Sequence, residues 1–353
     1  MLENIFFRLS LKEKMLFSRH MEVMVKSGMQ ILQSLEILKK QTKSAAFKKI
    51  LEQIIGDVKN GHFLSSGLER YRNVFGDFFI NLVRVGETSG TLAENLQYLT
   101  EELKKKDELK KKVRGAMIYP IVIFVATIGI TSLMTFVIFP KILPILKSIN
   151  VELPMVTVVF VAVSTFMISY GALVFAGIAA LFIALFLILR IPVVRFQWHK
   201  LLLATPYVGN MVQTVNIISL ARTVGLLLRA GIKIVEALEI TSSTMTNLVY
   251  RKEVRSVAEG VRKGDQMSKY FIDNPKIFPS IFSQMIVVGE NTGKLDESIL
   301  FLADFYESEL DEATKAMSNI LEPIMLLIMG LIVSFVALAI ITPIYKITQT
   351  LGR

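Results

Sequence analysis

LVRVGETSGTLAENL, Leu82 to Leu96, and VVGENTGKLDESI, Val287 to Ile299, are two versions of one glycine-flanked turn. Aligning Gly86-Glu87 with Gly289-Glu290 sets an offset of 203 residues. With no gap, the same offset pairs Arg19 with Arg222, Gly28 with Gly231, and Leu35-Glu36 with Leu238-Glu239. It goes on to pair Gly61 with Gly264, Phe75 with Phe278, Phe79 with Phe282, Gly90 with Gly293 and Pro120 with Pro323. Chance does not hold register from Arg19 to Pro120. The chain is a tandem duplication of one unit, a helical domain followed by an apolar helix.

The turn resembles a phosphate-binding loop only on the surface. That loop needs four residues between its glycines and a Ser or Thr after the Lys to hold magnesium. Here three residues separate Gly289 from Gly293, Leu295 follows Lys294, and the first copy has no lysine at all. A structural corner fits better. An apolar helix, FFINLVRV or IFSQMIVV, is expected to end at Gly86 or Gly289, since glycine readily takes the left-handed C-cap conformation. Ser89 or Thr292 then stands where an N-cap hydroxyl serves the next helix, and Glu94, or Asp296 with Glu297, favours its positive end. Glu87 and Glu290 are placed to brace the corner by accepting amide hydrogen bonds, or to meet a partner.

Elsewhere in each copy the pattern is helical. In AFKKILEQIIGDVKNG, Ile50, Leu51, Ile54, Ile55 and Val58 make one apolar stripe. SRHMEVMVKSGMQILQSLEILKK reads as two helices broken at Ser27-Gly28. No proline precedes Pro120 and no alternating β-branched run suggests a sheet, so a bundle of about six short helices per copy is expected. The 16 methionines read as core filler.

The chain is 52% hydrophobic, and the excess is concentrated. Gly115 to Pro140, Leu153 to Leu189 and Pro323 to Tyr345 carry no charged side chain. Each meets the roughly 20 apolar residues needed to cross a hydrocarbon core. Lys and Arg number 21 before Gly115, 2 between Pro140 and Pro154, 15 from Arg190 to Met317, and 2 after Pro343. Positive residues stay on the cytoplasmic side, so the net charge of +10 is mainly a topology signal and not a nucleic-acid footprint. Two copies facing one compartment need an extra crossing between them, and the middle run supplies it.

The expectation is thus an all-α polytopic membrane protein with two homologous cytoplasmic helical-bundle domains and three transmembrane helices. A first cytoplasmic domain is placed at 1–114, a transmembrane helix at 115–140, a periplasmic loop at 141–154 and a second transmembrane helix at 155–189. The second cytoplasmic domain follows at 190–318, the third transmembrane helix at 319–345, and a short periplasmic tail at 346–353. The N-terminal MLENIFFRLSLKEKM has no apolar core before a cleavage site and is expected to be retained.

The sequence has no cysteine, which excludes disulfides, thiolate metal sites and cysteine nucleophiles. Its three histidines, His20, His62 and His199, are far apart, and no catalytic residue, metal or cofactor is assigned. Pro120 and Pro323 lie near the start of the first and third spans, each either a hinge between domain and membrane or a helix start. Glu322 is expected as a solvated carboxylate at the bilayer edge or as a functional contact. Ala172, Ala176, Ala180 and Ala184 form a small-residue stripe suited to helix packing within the protein or across an oligomer. Glu101 to Arg114 carries seven positive and four negative charges, whereas Asp304 to Met317 carries one positive and five negative. The basic helix either anchors at anionic lipid or pairs with its acidic counterpart.

FPSIFSQMIVVGENTGKLDESILFLADFYESELDEA with LEPIMLLIMG closely resembles the inner-membrane platform family, comprising the type II secretion F protein and the type IV pilus assembly C protein. FFINLVRVGETSGTL to AMIYPIVI, SGMQILQSLEIL and RAGIKIVEALEI are similar to the same family. The resemblance covers residues 15 to 345. Family members often carry an additional N-terminal segment, whose partner contacts are not carried over to this chain. The resemblance implies a non-enzymatic, homo-oligomeric hub of the inner membrane. Its partners would be a cytoplasmic secretion or pilus ATPase, other inner-membrane assembly proteins, membrane lipid, and the pilin or pseudopilin subunits of a filament. The competing expectation from the residues is an oligomeric transporter or channel component, although the spans offer hydroxyls where proton and ion paths use ionisable groups.

Overall fold

A computed structural model describes residues 9–134, 137, 140, 141, 144, 155–206 and 208–351. Among the described residues every regular element is a helix. The first copy holds α1 (Leu11–Lys26), α2 (Ile31–Gln41), α3 (Ala45–Lys59), α4 (Leu64–Glu69), α5 (Arg72–Phe75), α6 (Asp77–Ser89) and the start of α7 (Leu92–Leu133). Then come α8 (Met155–Ile188) and α9 (Pro192–Ala204). The second copy holds α10 (Val208–Arg229), α11 (Ile234–Thr244), α12 (Leu248–Arg262), α13 (Met267–Ile272), α14 (Ser280–Thr292) and the start of α15 (Leu295–Leu351).

Adding 203 to the bounds of α2, α3, α4 and α6 returns those of α11, α12, α13 and α14 without a residue of slip. The backbone repeats at the same precision. Gly28, Gly61 and Gly90 have positive φ, and so do Gly231, Gly264 and Gly293. One position breaks the rule. Gly76 has φ 86°, a left-handed value, while its counterpart Pro279 has φ −57°. Proline cannot adopt the first copy's conformation there, and the short helix α5 is replaced by a turn in the second copy.

Helix starts follow local chemistry. Ser10 and Glu13 form a reciprocal capping box on α1, with Glu13 N–H donating to Ser10 Oγ at 3.2 Å and Ser10 N–H to Glu13 Oε2 at 2.7 Å. Asn247 Oδ1 accepts from Val249 N–H at 2.9 Å to start α12. Inside, each bundle packs aromatic rings at equivalent places. Phe75 and Phe79 lie 5.1 Å apart between centroids, and Phe278 and Phe282 lie 5.8 Å apart.

The chain divides into two compact units. One holds the chain up to Lys111 together with Arg195–Glu312, so both helical copies belong to it. The copies are not independent bundles. Leu227, Ile232, Ala237 and Ile240 of the second copy are buried in the core of the first. Helix α11 lies against α6, where Ser243 Oγ donates to Asp77 Oδ2 at 3.2 Å.

The other unit holds Lys112–Val194 and the chain from Ala313 onward. Its buried centre is Phe160, Val336 and Ala339, with Met134, Val156 and Val161 against them. Thr157 Oγ1 donates to the Ala339 carbonyl at 3.0 Å, tying α8 to α15. Among the described residues two helical stretches are long and apolar enough to cross a membrane, Ser169–Ile188 and Val208–Arg229. The second buries Ile217, Leu220, Ala221 and Val224 in a bundle core, which is the work of a core helix. Shorter apolar stretches are Ile121–Leu133, Met155–Met167 and Pro323–Ala339. The expected loop at 141–154 lies outside the described residues apart from Lys141 and Pro144.

Three local expectations are corrected. Neither α6 nor α14 ends at its first glycine; each runs three residues further, to Ser89 and Thr292, and the left-handed caps are Gly90 and Gly293. Ser89 and Thr292 are not N-caps of the next helix. Their hydroxyls bond backward to the Val85 carbonyl at 2.7 Å and the Val288 carbonyl at 2.8 Å, closing the last turn. Nor does either proline begin a helix. Helix α7 passes through position 120 and α15 through position 323; the side chains of Pro120 and Glu322 lie outside the described residues.

Candidate functional site

The corner motif solves two packing problems at once. Gly86 sits inside α6 because α7 crosses it at backbone contact. A Cβ there would stand 2.7 Å from Leu92 Cα and 3.1 Å from Asn95 Nδ2. At Gly289 the approach is slightly looser, with Leu295 Cα and Ser298 Cβ both 3.0 Å from such a carbon. Asn95 is buried and donates from Nδ2 to the Leu82 carbonyl at 2.9 Å, fastening the crossing in the first copy.

The next residue reaches the other way. Glu87 accepts from Leu64 N–H through Oε1 at 2.6 Å and from Ser65 N–H through Oε2 at 2.8 Å. Glu290 does the same with Met267 N–H at 2.6 Å and Ser268 N–H at 3.2 Å. These are the first amides of α4 and α13, which have no partner inside their own helix. The residues at the N-cap positions, Phe63 and Gln266, make no side-chain cap bond. A carboxylate from a neighbouring helix supplies that cap in both copies, and its charge suits the positive end of the helix.

With glycine turned inward and glutamate turned sideways, the tips stay free. Thr88, Ser89 and Gly90 are exposed, as are Asn291, Thr292, Gly293 and Lys294. The same unit thus presents two equivalent corners.

A second cluster joins the copies, and the repeat alone does not disclose it. Arg222 on α10 extends Nη2 to Asp304 Oδ1 at 2.8 Å and to Glu307 Oε2 at 2.6 Å, both on α15. Its Nε lies 3.7 Å from Glu102 Oε2 on α7 of the other copy. Lys105 on α7 reaches the same two acids at 3.0 Å each. Within the basic stretch Glu101 to Arg114, Lys105 crosses to α15, whereas Lys104 and Lys106 pair with Glu108 and Glu102 on their own helix. Burial works to lower the Lys105 pKa, but hydrogen bonds to Glu307 and Asp304 outweigh it and leave the ammonium above its ordinary value. Burial likewise works to raise Asp304, and hydrogen bonds from Lys105 and Arg222 hold it below the ordinary carboxylate value. The sequence placed Asp304 in the acidic stretch opposite the basic helix but not against Arg222, because the repeat equates Arg222 with Arg19, which is exposed.

His199 on α9 accepts from Leu248 N–H through Nδ1 at 3.0 Å, a cap on α12. Burial, with Arg195 nearby, holds its imidazole below the ordinary value. Among the described residues no group of three or more His, Asp or Glu side chains is placed to hold a metal. Ala172, Ala176, Ala180 and Ala184 are all exposed on α8. Pro323 is exposed on α15.

Comparison with known proteins matches this geometry to a repeated domain. The family model for type II secretion system protein F matches residues 17–140 and again 220–343, two segments related by the 203-residue offset of the helices. Type IV pilus assembly protein PilC of Thermus thermophilus is 36% identical over 342 residues, covering 97% of this chain and 84% of that protein. Type II secretion system protein F of Pseudomonas aeruginosa is 28% identical over 344 residues, covering 98% and 85%. Type IV pilus assembly protein PilC of the same organism is 28% identical over 338 residues, covering 96% and 90%. With both copies of the bundle matched, and a relative above 30% identity aligned over almost the whole chain, this protein belongs to the type II secretion system protein F family.

Proposed function

We propose that the chain is a non-enzymatic inner-membrane platform of a type IV pilus or type II secretion machine. In this reading it couples a cytoplasmic ATPase to the addition of pilin or pseudopilin subunits to a filament. One observation carries most of the weight. Two equivalent bundles are locked into a single unit, and each continues through one unbroken helix, α7 or α15, into an apolar stretch. Such a frame can pass a displacement applied at one copy to the other and on to the spans.

The proposed topology places 1–114 and 190–318 in the cytoplasm, with spans at 115–140, 155–189 and 319–345 and the short segments 141–154 and 346–353 outside. The lysine and arginine distribution supports it. The basic sequence of α7 beyond the inter-copy cluster suits anionic lipid. Pro120 and Pro323 are proposed as hinges, Glu322 as an interfacial carboxylate, and the α8 alanines as an oligomer contact. The exposed corner tips are the proposed grip for the ATPase.

A photo-cross-linking residue at Thr88, and separately at Asn291, tests this in membranes containing the whole machine. The ATPase is the expected product from at least one of the two. Failure at both corners, with the protein at normal abundance, would refute the grip. The transporter reading finds less support, because Thr127 and Thr342 already bond the carbonyls of Ile123 and Leu338 in their own helices. Solute flux through purified protein in liposomes would restore it.

A further inference from the structure

The contact between the copies is one-sided. In the first copy, α6 is covered by α11, and Phe78 and Val85 are partly buried against the shared core. The equivalent face in the second copy, on α14, is open. Ile281 stands where Phe78 does and is 49% exposed; Val288 stands where Val85 does and is 48% exposed. Gln284, the counterpart of half-buried Asn81, is exposed as well.

The covering face is also present twice and used once. In the second copy it consists of Leu227, Ile232, Ala237 and Ile240, all buried in the core of the first copy. Its counterpart in the first copy is Met24, Met29, Ser34 and Ile37, of which Ser34 is buried within its own bundle. On the neighbouring turn Val23 is 53% exposed, whereas its repeat partner Leu226 is 7% exposed. Met24, Met29 and Ile37 are only half buried where their counterparts are enclosed.

Each molecule therefore keeps one unfilled copy of both halves of an interface, the two halves already fitting each other inside the chain. The substitutions preserve the fit. Apolar residues replace apolar ones at Phe78/Ile281, Val85/Val288, Leu227/Met24, Ile232/Met29 and Ile240/Ile37, and small Ser34 replaces small Ala237. The polar pair Ser243 and Asp77 becomes Lys40 and Ser280, a donor facing a hydroxyl that can accept.

We propose that the α14 face of one chain docks on the α1–α2 face of a second copy of this chain, repeating between molecules the contact that joins α6 to α11 within one. Such an interface is heterologous, so it propagates head to tail and closes into a ring when the rotation per chain allows. In a membrane the closed form keeps every bundle on the same side of the bilayer. The inference does not depend on the ATPase reading.

The absence of cysteine makes the test direct. Full-length Lys40→Cys and Ser280→Cys variants, reconstituted together in nanodiscs or native membranes, are oxidised and run under non-reducing conditions. The mixture is expected to yield a linked pair, and each variant alone at least tenfold less of it. Equal linking by Lys40→Cys alone would make the contact isologous and overturn the proposal. Independently, native mass spectrometry of an Ile281→Arg, Val288→Arg variant with unchanged helical circular dichroism is expected to show the oligomer falling to the single chain. A wild-type oligomer in that variant also overturns it.

Discussion

Arg19 and Arg222 occupy the same position of the repeat, yet Arg19 is exposed while Arg222 is 8% exposed and held by three carboxylates. Position 304 is aspartate in the second copy and Glu101 in the first, but position 307 is glutamate in one and Lys104 in the other. The first copy therefore offers its arginine one acid and one repelling ammonium. Arg222→Ala is expected to cost about 2 kcal/mol, less than a fully buried pair because Asp304 is partly solvated. Arg19→Ala should stay within about 0.5 kcal/mol of wild type. Thermal unfolding of the two variants in the same detergent distinguishes them.

The glutamate caps make a local prediction. Replacing Glu87 by alanine leaves the Leu64 and Ser65 amides without their acceptor, at a cost of about 1–2 kcal/mol. Hydrogen exchange at those amides should accelerate, with the other helix starts of the first copy unaffected. Glu290→Ala should produce the same change at Met267 and Ser268. Identical exchange in variant and wild type would show the carboxylate bonds to be unimportant.

Alanine at the buried glycines tests the helix crossing. In a free helix, Gly→Ala stabilises by about 1 kcal/mol. At Gly86 the new carbon meets Leu92 Cα at 2.7 Å, a backbone atom that cannot swing aside. Gly86→Ala should therefore destabilise by about 2 kcal/mol through overpacking. Gly289→Ala, with its nearest atoms at 3.0 Å, should be milder. Urea or heat midpoints rank the pair, and the reverse order would contradict the packing argument.

The inter-copy cluster has a pH window with a defined sign. Asp304 is held below its ordinary value of 3.8, so its contribution is present above that value and is lost as pH falls through the folded-state value. Lys105 is held above its ordinary value of 10.5, so its contribution is complete below that value and is lost as pH rises through the folded-state value. Asp304→Asn should flatten the acid limb of stability against pH and leave the alkaline limb largely in place. An unchanged acid limb would remove Asp304 from the account.

His199 adds a second acid step. Its Nδ1 must be unprotonated to accept from Leu248 N–H, and its pKa is held below 6.5. Stability from this bond is present above the ordinary value and is lost as pH falls through the lowered one. Exchange at the Leu248 amide should rise in that range, and His199→Phe should remove the dependence.

Much of this fold is legible from the chain alone, because what sets it is local. Apolar periodicity, Ser and Asn caps, and glycines with positive φ act within a few residues, so repeating the letters at an offset of 203 repeats α2, α3, α4 and α6 residue for residue. The corner was recognisable for the same reason, though its details were not. Gly86 reads equally well as a terminator or as a point of close approach, and only the position of α7 separates the two.

Sequence by itself determined that there are two copies, that they are helical, and which helices continue into apolar stretches. Tertiary structure decided that Glu87 and Glu290 cap helices 22 to 23 residues away, that Arg222 and not Arg19 is enclosed, and that the outer face of α6 is covered while that of α14 is exposed. Two equivalent surfaces on one chain cannot both be filled by a single internal contact. Which of them is filled depends on how the second bundle docks on the first, and local patterning does not specify that arrangement.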